Sequence, residues 1–359
     1  MTAADAGALE HRLGTLLGLD APVLCRTGHD GLLCALLALE VEPGDEIVLP
    51  VSICQSMVNA VLVAGALPML ADCRRDLSLC PADLARRLSP ASRLIVAHHP
   101  HGAACELDDI RDLARAAGIP LLEDCAQAAG AWRAGAPLGQ LGDLVLHSFA
   151  DDKPLSAGVG GLIWARDPAL AARLREAARV GSPGHPDDRA LGIDAMPRPA
   201  ELARLSDAID RFAGDLEARI AKAEAMIAAI GPWGRAIGGV LAGRRPPAHV
   251  FHRVVIALDR CATRHALARV IDDYRRATPE PLHPIVQDAV PTPPYRAPHL
   301  LARYQRRGRA ALCDPDGAEF PGWRAIECCY LFLRTSARFT RPDLMRAVAA
   351  LEVAAQPAS

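Results

Sequence analysis

From residue 20 to about 170, short apolar runs alternate with longer stretches whose apolar residues recur every three or four positions. The runs cover 22–25, 46–50, 67–71, 94–97, 120–123, 143–147 and 161–165, each too short to be a buried helix. Between them, 32–39, 56–64, 81–88 and 108–117 carry the helical spacing. Such alternation is satisfied by strands joined through crossover helices, so a mostly parallel sheet covered on both faces is expected. Seven strands of this kind make one large α/β domain. Beyond it, 168–180 and 199–230 read as long helices, the second with Pro199 at a favourable first helical position. Residues 181–188 read as a loop and 231–234 as a break. A strand-like 250–257, a helix near 263–276, a proline-rich loop over 279–298 and a helix over 341–354 then suggest an α+β tail. The expected division is 1–235 as the large domain and 236–359 as a smaller C-terminal one, with which the N-terminal segment can also pack.

Composition removes several function classes. A net charge of -2 offers no electrostatic footprint for nucleic acid or an acidic membrane surface. No apolar stretch approaches the ~20 residues that span a bilayer. The first ten residues lack a basic region followed by an apolar core, so no secretory leader is expected and a cytoplasmic location is. The eleven cysteines are odd in number and lie mostly within apolar runs, among them Cys25, Cys34, Cys73 and Cys125. Buried reduced thiols explain them better than disulfides, and without a CxxC spacing no metal site is expected.

Lysine usage points to chemistry. Lys and Arg together number 40, yet only Lys153 and Lys222 are lysines. Where arginine serves as the ordinary cation, a retained lysine is a candidate for work a guanidinium cannot do, such as attacking a carbonyl to form a Schiff base. Lys222 lies in a helical stretch where a solvated lysine is unremarkable. Lys153 follows the apolar run 143–149 and precedes the glycine-rich 156–161. That is a loop just beyond a strand end, where α/β proteins place catalytic groups. A salt-bridging lysine is the alternative.

Asp124 closes the run 120–124, Gln127 lies three residues on, and Ser148 lies five before the lysine. A buried carboxylate at a strand's carboxyl end needs a cationic partner, although a helix cap or a turn would also explain it. Together these residues carry a resemblance. Leu122-Glu-Asp-Cys-Ala-Gln-Ala-Ala-Gly130, Gly139-Gln-Leu-Gly-Asp143 and Ser148-Phe-x-x-x-Lys153 are similar to the E-D-A-A-Q-A-x-G, G-x-x-G-D and S-F-x-x-x-K of the DegT-type (StrS-like) sugar aminotransferases of fold type I. The 29-residue separation of Asp124 and Lys153 matches too. Gly44-Asp-Glu-Ile-Val-Leu-Pro50 resembles the family's G-D-E-V-I-V-P, and His99-Pro-His-Gly102 its H-x-x-G. His249-Val-Phe-His252 and Pro281-Leu-His283 resemble its second domain.

The resemblance implies pyridoxal 5'-phosphate as cofactor, with Lys153 linked to it and moving protons. It implies Asp124 paired with the pyridine nitrogen, Gln127 near the ring and Ser148 on the phosphate. Gly28-His29-Asp30 stand at the family's G-T-A, where backbone amides at a helix N-terminus would cradle the phosphate. His99, Arg198 and His283 are implied substrate contacts, and a homodimer completes each site. Departures from the pattern are specific. Asp30 puts a carboxylate beside the phosphate unless it points away, and Cys54 stands where an aromatic ring usually stacks on the cofactor. Asp151-Asp152 precede the lysine where Thr or Ser is common, and Pro154 follows it in place of Asn. Met196 replaces the Asn that reaches a neighbouring subunit, while Arg198 and Glu201 are kept.

The leading expectation is transfer of an amino group from a donor such as glutamate to a keto-sugar or cyclitol-like acceptor. A second keeps the cofactor but performs elimination, dehydration or carbon–carbon bond formation, since the bond held perpendicular to the ring decides the outcome. A third is a non-catalytic homologue acting as a partner subunit.

Overall fold

Seven apolar runs closed by glycine, proline or a polar residue satisfy their backbone polar groups by lying side by side. In the computed structural model they form one sheet. The structure describes residues 3–180, 191–231, 234–237, 247–258, 264–288, 302, 320–327 and 329–356. The strands are β1 (Val23–Cys25), β2 (Glu46–Pro50), β3 (Leu67–Ala71), β4 (Ser92–His98), β5 (Leu121–Asp124), β8 (Leu144–Ser148) and β9 (Gly161–Ala165), in the order β1-β9-β8-β5-β4-β2-β3. Strands β6 (Trp132–Arg133) and β7 (Ala136–Pro137) form a separate small hairpin. Neighbours from β8 to β3 run parallel, while β9 is antiparallel to both β8 and β1. Strands β2, β3 and β5 are buried at every residue, as a sheet covered on both faces requires.

The covering helices are α2 (Gly28–Ala38), α3 (Gln55–Val63), α4 (Pro81–Arg87), α5 (Asp108–Ala117) and α6 (Pro168–Ala177). Pro81 and Pro168 open their helices where the missing N–H costs nothing, and Gly118 ends α5 in the left-handed conformation. All seven expected strands and the helices between them are present within a few residues of their sequence limits. An N-terminal helix, α1 (Ala3–Leu17), was not expected. It buries Ala6, Leu9, Leu13 and Leu17 against Leu202, Leu205, Ala208 and Phe212 of α7 (Pro199–Ile230), with Arg12 bonded to Ser206 at 2.9 Å.

At ~1.5 Å per residue, α7 is about 48 Å long and serves two cores. Its first half packs with α1 and, through Phe212, on Gly130. Its second half, through Ile220, Ala223, Met226 and Ile230, packs on a second, antiparallel sheet. That sheet has the order β10 (Arg235–Ile237), β11 (Arg253–Ala257), β13 (Tyr330–Arg334), β12 (Val286–Asp288). Helices α8 (Arg264–Ala277) and α10 (Arg341–Ala355) pack in the same core. β10, β12 and β13 have no counterpart in the sequence reading. The loop expected over 279–298 is a 3-10 turn (Glu280–Ile285) followed by β12, and its remainder lies outside the described residues, as does 181–188.

Helix α9 (Pro321–Glu327) belongs to the large sheet's core although it lies late in the chain. Phe320, Trp323 and Ile326 are buried there, and the Asp72 carboxylate accepts from the backbone N–H of Gly322 (2.7 Å) and Trp323 (2.9 Å).

Candidate active site

Parallel strands deliver their carboxyl ends to one edge of the sheet, and crevices outside that edge are where α/β proteins bind ligands. Here β5 ends at Asp124, β8 at Ser148 and β4 at His98, side by side. The turn after β8 carries Lys153.

Lys153 is partly buried, with its amine in a desolvated position. That burial lowers its pKa, while the charges of Asp124 and Cys54 oppose the shift. Asp124 is 7% exposed. Burial raises its pKa, and a hydrogen bond from the Ala126 N–H to Oδ1 (2.9 Å) and the charge of Lys153 pull it back. A carboxylate and an amine are thus held together away from water, each biased toward its neutral form.

On one side of this pair, α2 begins at Gly28. Thr27 caps it, its Oγ1 accepting from the Asp30 N–H at 3.0 Å and donating to the Asp30 carboxylate at 2.9 Å. The Asp30 side chain therefore turns back onto the cap. His29 Nδ1 lies 2.9 Å from the Ser56 carbonyl, tying α2 to the start of α3. A Cβ on Gly28 would come 3.1 Å from Ser148 Cβ, and one on Gly161 would come within 2.3–2.5 Å of the Thr27 and Gly28 backbone. Both glycines let β9 and the end of β8 come close to the start of α2, which sets the Gly28 and His29 amides near the Ser148 hydroxyl. Free N–H groups at a helix start, with the helix dipole, suit a phosphate.

Gln127 faces the other way. Its Oε1 accepts from the His101 backbone N–H (2.7 Å) and from His252 (3.1 Å), which fixes the proton of that imidazole on Nδ1. The rings of His101 and His252 lie nearly parallel with centroids 6.3 Å apart, and His101 Nδ1 is buried without a partner among the described residues. Burial and the charges of Arg253 and Lys153 keep both rings neutral. Cys54 is exposed at the N-cap of α3, close enough to Lys153 for its charge to be felt.

Three sequence-derived substrate candidates lie elsewhere. His99, 1% exposed, accepts from the Cys105 N–H at Nδ1 (3.1 Å) and donates from Nε2 to Glu123 (2.9 Å), so it is an internal brace and not a surface for substrate. Burial by itself would raise the Glu123 pKa, but the His99 contact and the Gly139 and Gly142 amides outweigh it and hold it at about 2. The spacing of His99, Glu123 and Cys125 could suit a metal ion, with ligand atoms within 4.8 Å of one another. The histidine and carboxylate atoms are already committed to those hydrogen bonds, and burial keeps the thiol protonated. Arg198 is exposed at the N-cap of α7, its N–H bonded to Glu201 (2.6 Å). His283 bonds its own turn through the Thr278 carbonyl (2.9 Å). No described contact joins either to Lys153.

Sequence reasoning missed His101, since only His99 was singled out from the H-x-x-G run. A positive φ of 56° at residue 101 sends successive histidines to different environments. It also missed that Lys222 lines, with Lys153 and Arg219, a cavity of roughly 450 Å³. Its ammonium donates there to the Phe339 carbonyl at 2.9 Å.

The residues present fit pyridoxal 5'-phosphate. An amine, a buried carboxylate beside it and a glycine-lined helix N-terminus with a serine hydroxyl are the donor and acceptor set that its aldehyde, ring nitrogen and phosphate require.

Comparison with known proteins agrees. The profile of the DegT/DnrJ/EryC1/StrS aminotransferase family matches residues 3–230. Protein MosB of Rhizobium meliloti is 37% identical over 177 residues, 49% of this chain and 35% of that protein. A UDP-N-acetyl-3-dehydro-alpha-D-glucosamine 3-aminotransferase of Acidithiobacillus ferrooxidans is 36% identical over 177 residues, 49% of this chain and 48% of that protein. The matches thus span half or less of the length of these curated relatives. Among solved structures, S. venezuelae DesV superposes with a TM-score of 0.81 at 23% identity, over 99% of this chain and 90% of that one.

Proposed function

Since the chain belongs to the DegT/DnrJ/EryC1/StrS aminotransferase family, we propose that it transfers an amino group from an amino-acid donor such as glutamate to a keto-sugar or cyclitol-like acceptor, using pyridoxal phosphate. The observation that carries this reading is the Lys153–Asp124 pair beside the glycine cradle at the start of α2.

When bound, pyridoxal phosphate supplies a ring that accepts the electrons of a broken bond next to nitrogen. The chain's residues do the rest. Lys153 Nζ, its proton affinity lowered by burial, is a better nucleophile than a solvated lysine. The same amine, when not linked to the cofactor, would take and return a proton at the substrate carbon. The Asp124 carboxylate would hold a proton on the cofactor's ring nitrogen. The Thr27–Gly28 start of α2 and Ser148 bind the phosphate dianion. Gln127, through His101 and His252, braces the side toward the second sheet.

The proposal includes a homodimer with each site completed by its neighbour and a cytoplasmic setting. The large and small parts would divide near residue 235. Among the described residues no helix is long and apolar enough to cross a membrane.

Absorbance of the loaded protein before and after glutamate tests the activity. The near-visible band of lysine-linked cofactor should be present, bleach with donor, return with a keto-sugar acceptor, and be absent in Lys153→Ala. Borohydride reduction and peptide mapping should label Lys153 and not Lys222. A band untouched by a broad donor panel would overturn transamination in favour of an elimination or carbon–carbon bond-forming reaction. Sedimentation of a strictly monomeric, fully active protein would overturn the dimer.

A further inference from the structure

Arg253 and Arg334 are directly paired across β11 and β13. Like charges opposite one another on neighbouring strands are destabilising unless an anion lies between them. The anion here is Asp152. Its Oδ2 is 2.8 Å from Arg253 Nη2 and 3.3 Å from Arg334 Nη1, with the aspartate and Arg253 side chains only 12% and 11% exposed.

Asp152 immediately precedes Lys153 and has φ of 75°, in the left-handed region. That conformation costs a non-glycine residue about 1 kcal/mol or more and persists where the surroundings over-determine it. The surroundings here are three arginines. Besides the two on the second sheet, Arg219 of α7 donates to the Asp152 carbonyl (3.4 Å) and the Lys153 carbonyl (3.0 Å), and through its other terminal nitrogen to Thr335 Oγ1 (3.0 Å). The turn carrying the lysine is fastened by the second sheet and α7, while the charge of Asp124 reaches the amine from the large sheet.

We propose that Asp152 is a positioning residue for Lys153: its carboxylate pins the lysine's turn to the second sheet and shields the amine from the positive field of Arg253 and Arg334. This rests on the reading of Lys153 as the cofactor-bearing lysine. The charged or titratable groups around the amine are Asp124 from β5, Cys54 from α3, Arg253 from β11, His101 and His252, and Asp152 itself, while Arg334 of β13, Arg219, Lys222 and Asp215 of α7 and Asp151 line the same cavity as Lys153. Removing the Asp152 charge leaves two uncompensated guanidinium groups nearby, so the amine should hold its proton less tightly. Removing Arg334 should act in the opposite sense.

Two lysines in the whole chain make this measurable without the cofactor. Reductive ¹³C-methylation of the cofactor-free protein gives two lysine signals, assigned with Lys222→Arg, whose shifts are followed against pH. In Asp152→Asn the Lys153 midpoint should move to lower pH while Lys222 stays put, and in Arg334→Met it should move to higher pH. The loaded Asp152→Asn protein should lose roughly tenfold to a hundredfold in kcat, as expected for a small misplacement of a reacting group, with partial recovery in Asp152→Glu. A Lys153 midpoint and a kcat both unmoved in Asp152→Asn, with only a lowered Tm, would overturn the inference and leave Asp152 a stability residue. If Asp152→Asn does not fold, an unmoved midpoint in Arg334→Met overturns it equally. Covalent capture of cofactor by Lys153→Ala would instead overturn the underlying assignment of the lysine, an outcome read on a different variant.

Discussion

Asp124 and Lys153 are each driven toward the uncharged form by burial and each drawn back toward charge by the other. Their protonation is therefore shared, and altering one alters the other. Asp124→Asn keeps the shape but removes the charge, so the Lys153 amine should lose part of its proton affinity and the ring nitrogen its counter-ion. We expect kcat to fall by at least a hundredfold, comparable with the loss of one preorganised electrostatic partner, with far less change in cofactor retention. Steady-state kinetics beside the absorbance of the loaded variant checks this. Near-normal turnover would remove Asp124 from the site's chemistry.

Gly161 lets β9 come close to the start of α2. A methyl group there would sit 2.3 Å from the Thr27 carbonyl carbon and 2.5 Å from the Gly28 nitrogen, and both neighbours are backbone that cannot swing aside. Gly161→Ala should displace the start of α2 relative to β9, lowering cofactor affinity at least tenfold and stability by ~1–3 kcal/mol, the usual cost of overpacking. Equilibrium dialysis and urea denaturation measure the two separately. Unchanged affinity would mean that the phosphate is held elsewhere.

The large sheet and the Asp124–Lys153 pair were legible in sequence for physical reasons. Strands buried on both faces must be continuous apolar runs, and a chain that uses arginine as its ordinary cation makes a functional lysine conspicuous. The second sheet was harder. β10 and β12 have three residues each, below what an alternating pattern can signal, and β13 begins directly after Cys329 without a turn residue. Helix α1 did carry a signal, Leu9, Leu13 and Leu17 at four-residue spacing. His99 is committed to the interior by its bonds to Glu123 and the Cys105 N–H, partners that an H-x-x-G pattern does not encode. Asp152 with Arg253 and Arg334 joins residues about 100 and 180 positions apart, a pairing that no local pattern encodes.

His147 is 1% exposed on β8, and neither ring nitrogen has a partner among the described residues. Burial lowers its pKa to about 4, and His98 and His249 are lowered to about 3 chiefly by the same cause. A base whose folded pKa is depressed refuses a proton that the unfolded chain accepts. Its titration costs the fold nothing above pH ~6.5 and destabilises it increasingly as pH falls toward 4, by about 1.4 kcal/mol per pH unit for each ring. His147→Leu should therefore be more stable at pH 8 by on the order of 1 kcal/mol, through loss of an unsatisfied buried group. It should also show a shallower acid slope. Urea midpoints between pH 8 and pH 5 test both, and a slope parallel to that of the parent protein would show that His147 titrates normally.

Cys54 is one position at which the site departs from the family's pattern and can be returned to it. It is the exposed thiol at the N-cap of α3, with Ser56 Oγ 3.3 Å from its Sγ, and it is near enough to Lys153 to influence the amine. An aromatic ring in this place would stack on the cofactor, and such contacts contribute about 0.5–1.5 kcal/mol beyond the area they bury. Cofactor loaded into the parent protein and converted by a donor to its amine form has no covalent link to Lys153, so the missing stacking should show most there. Cys54→Phe should slow loss of that form during dialysis by roughly threefold to tenfold, with little effect on the lysine-linked form. Bound cofactor should also protect Cys54 from alkylation, measured by peptide mapping with and without cofactor. Equal alkylation in both states, together with an unchanged dialysis rate in Cys54→Phe, would place Cys54 outside the cofactor's reach.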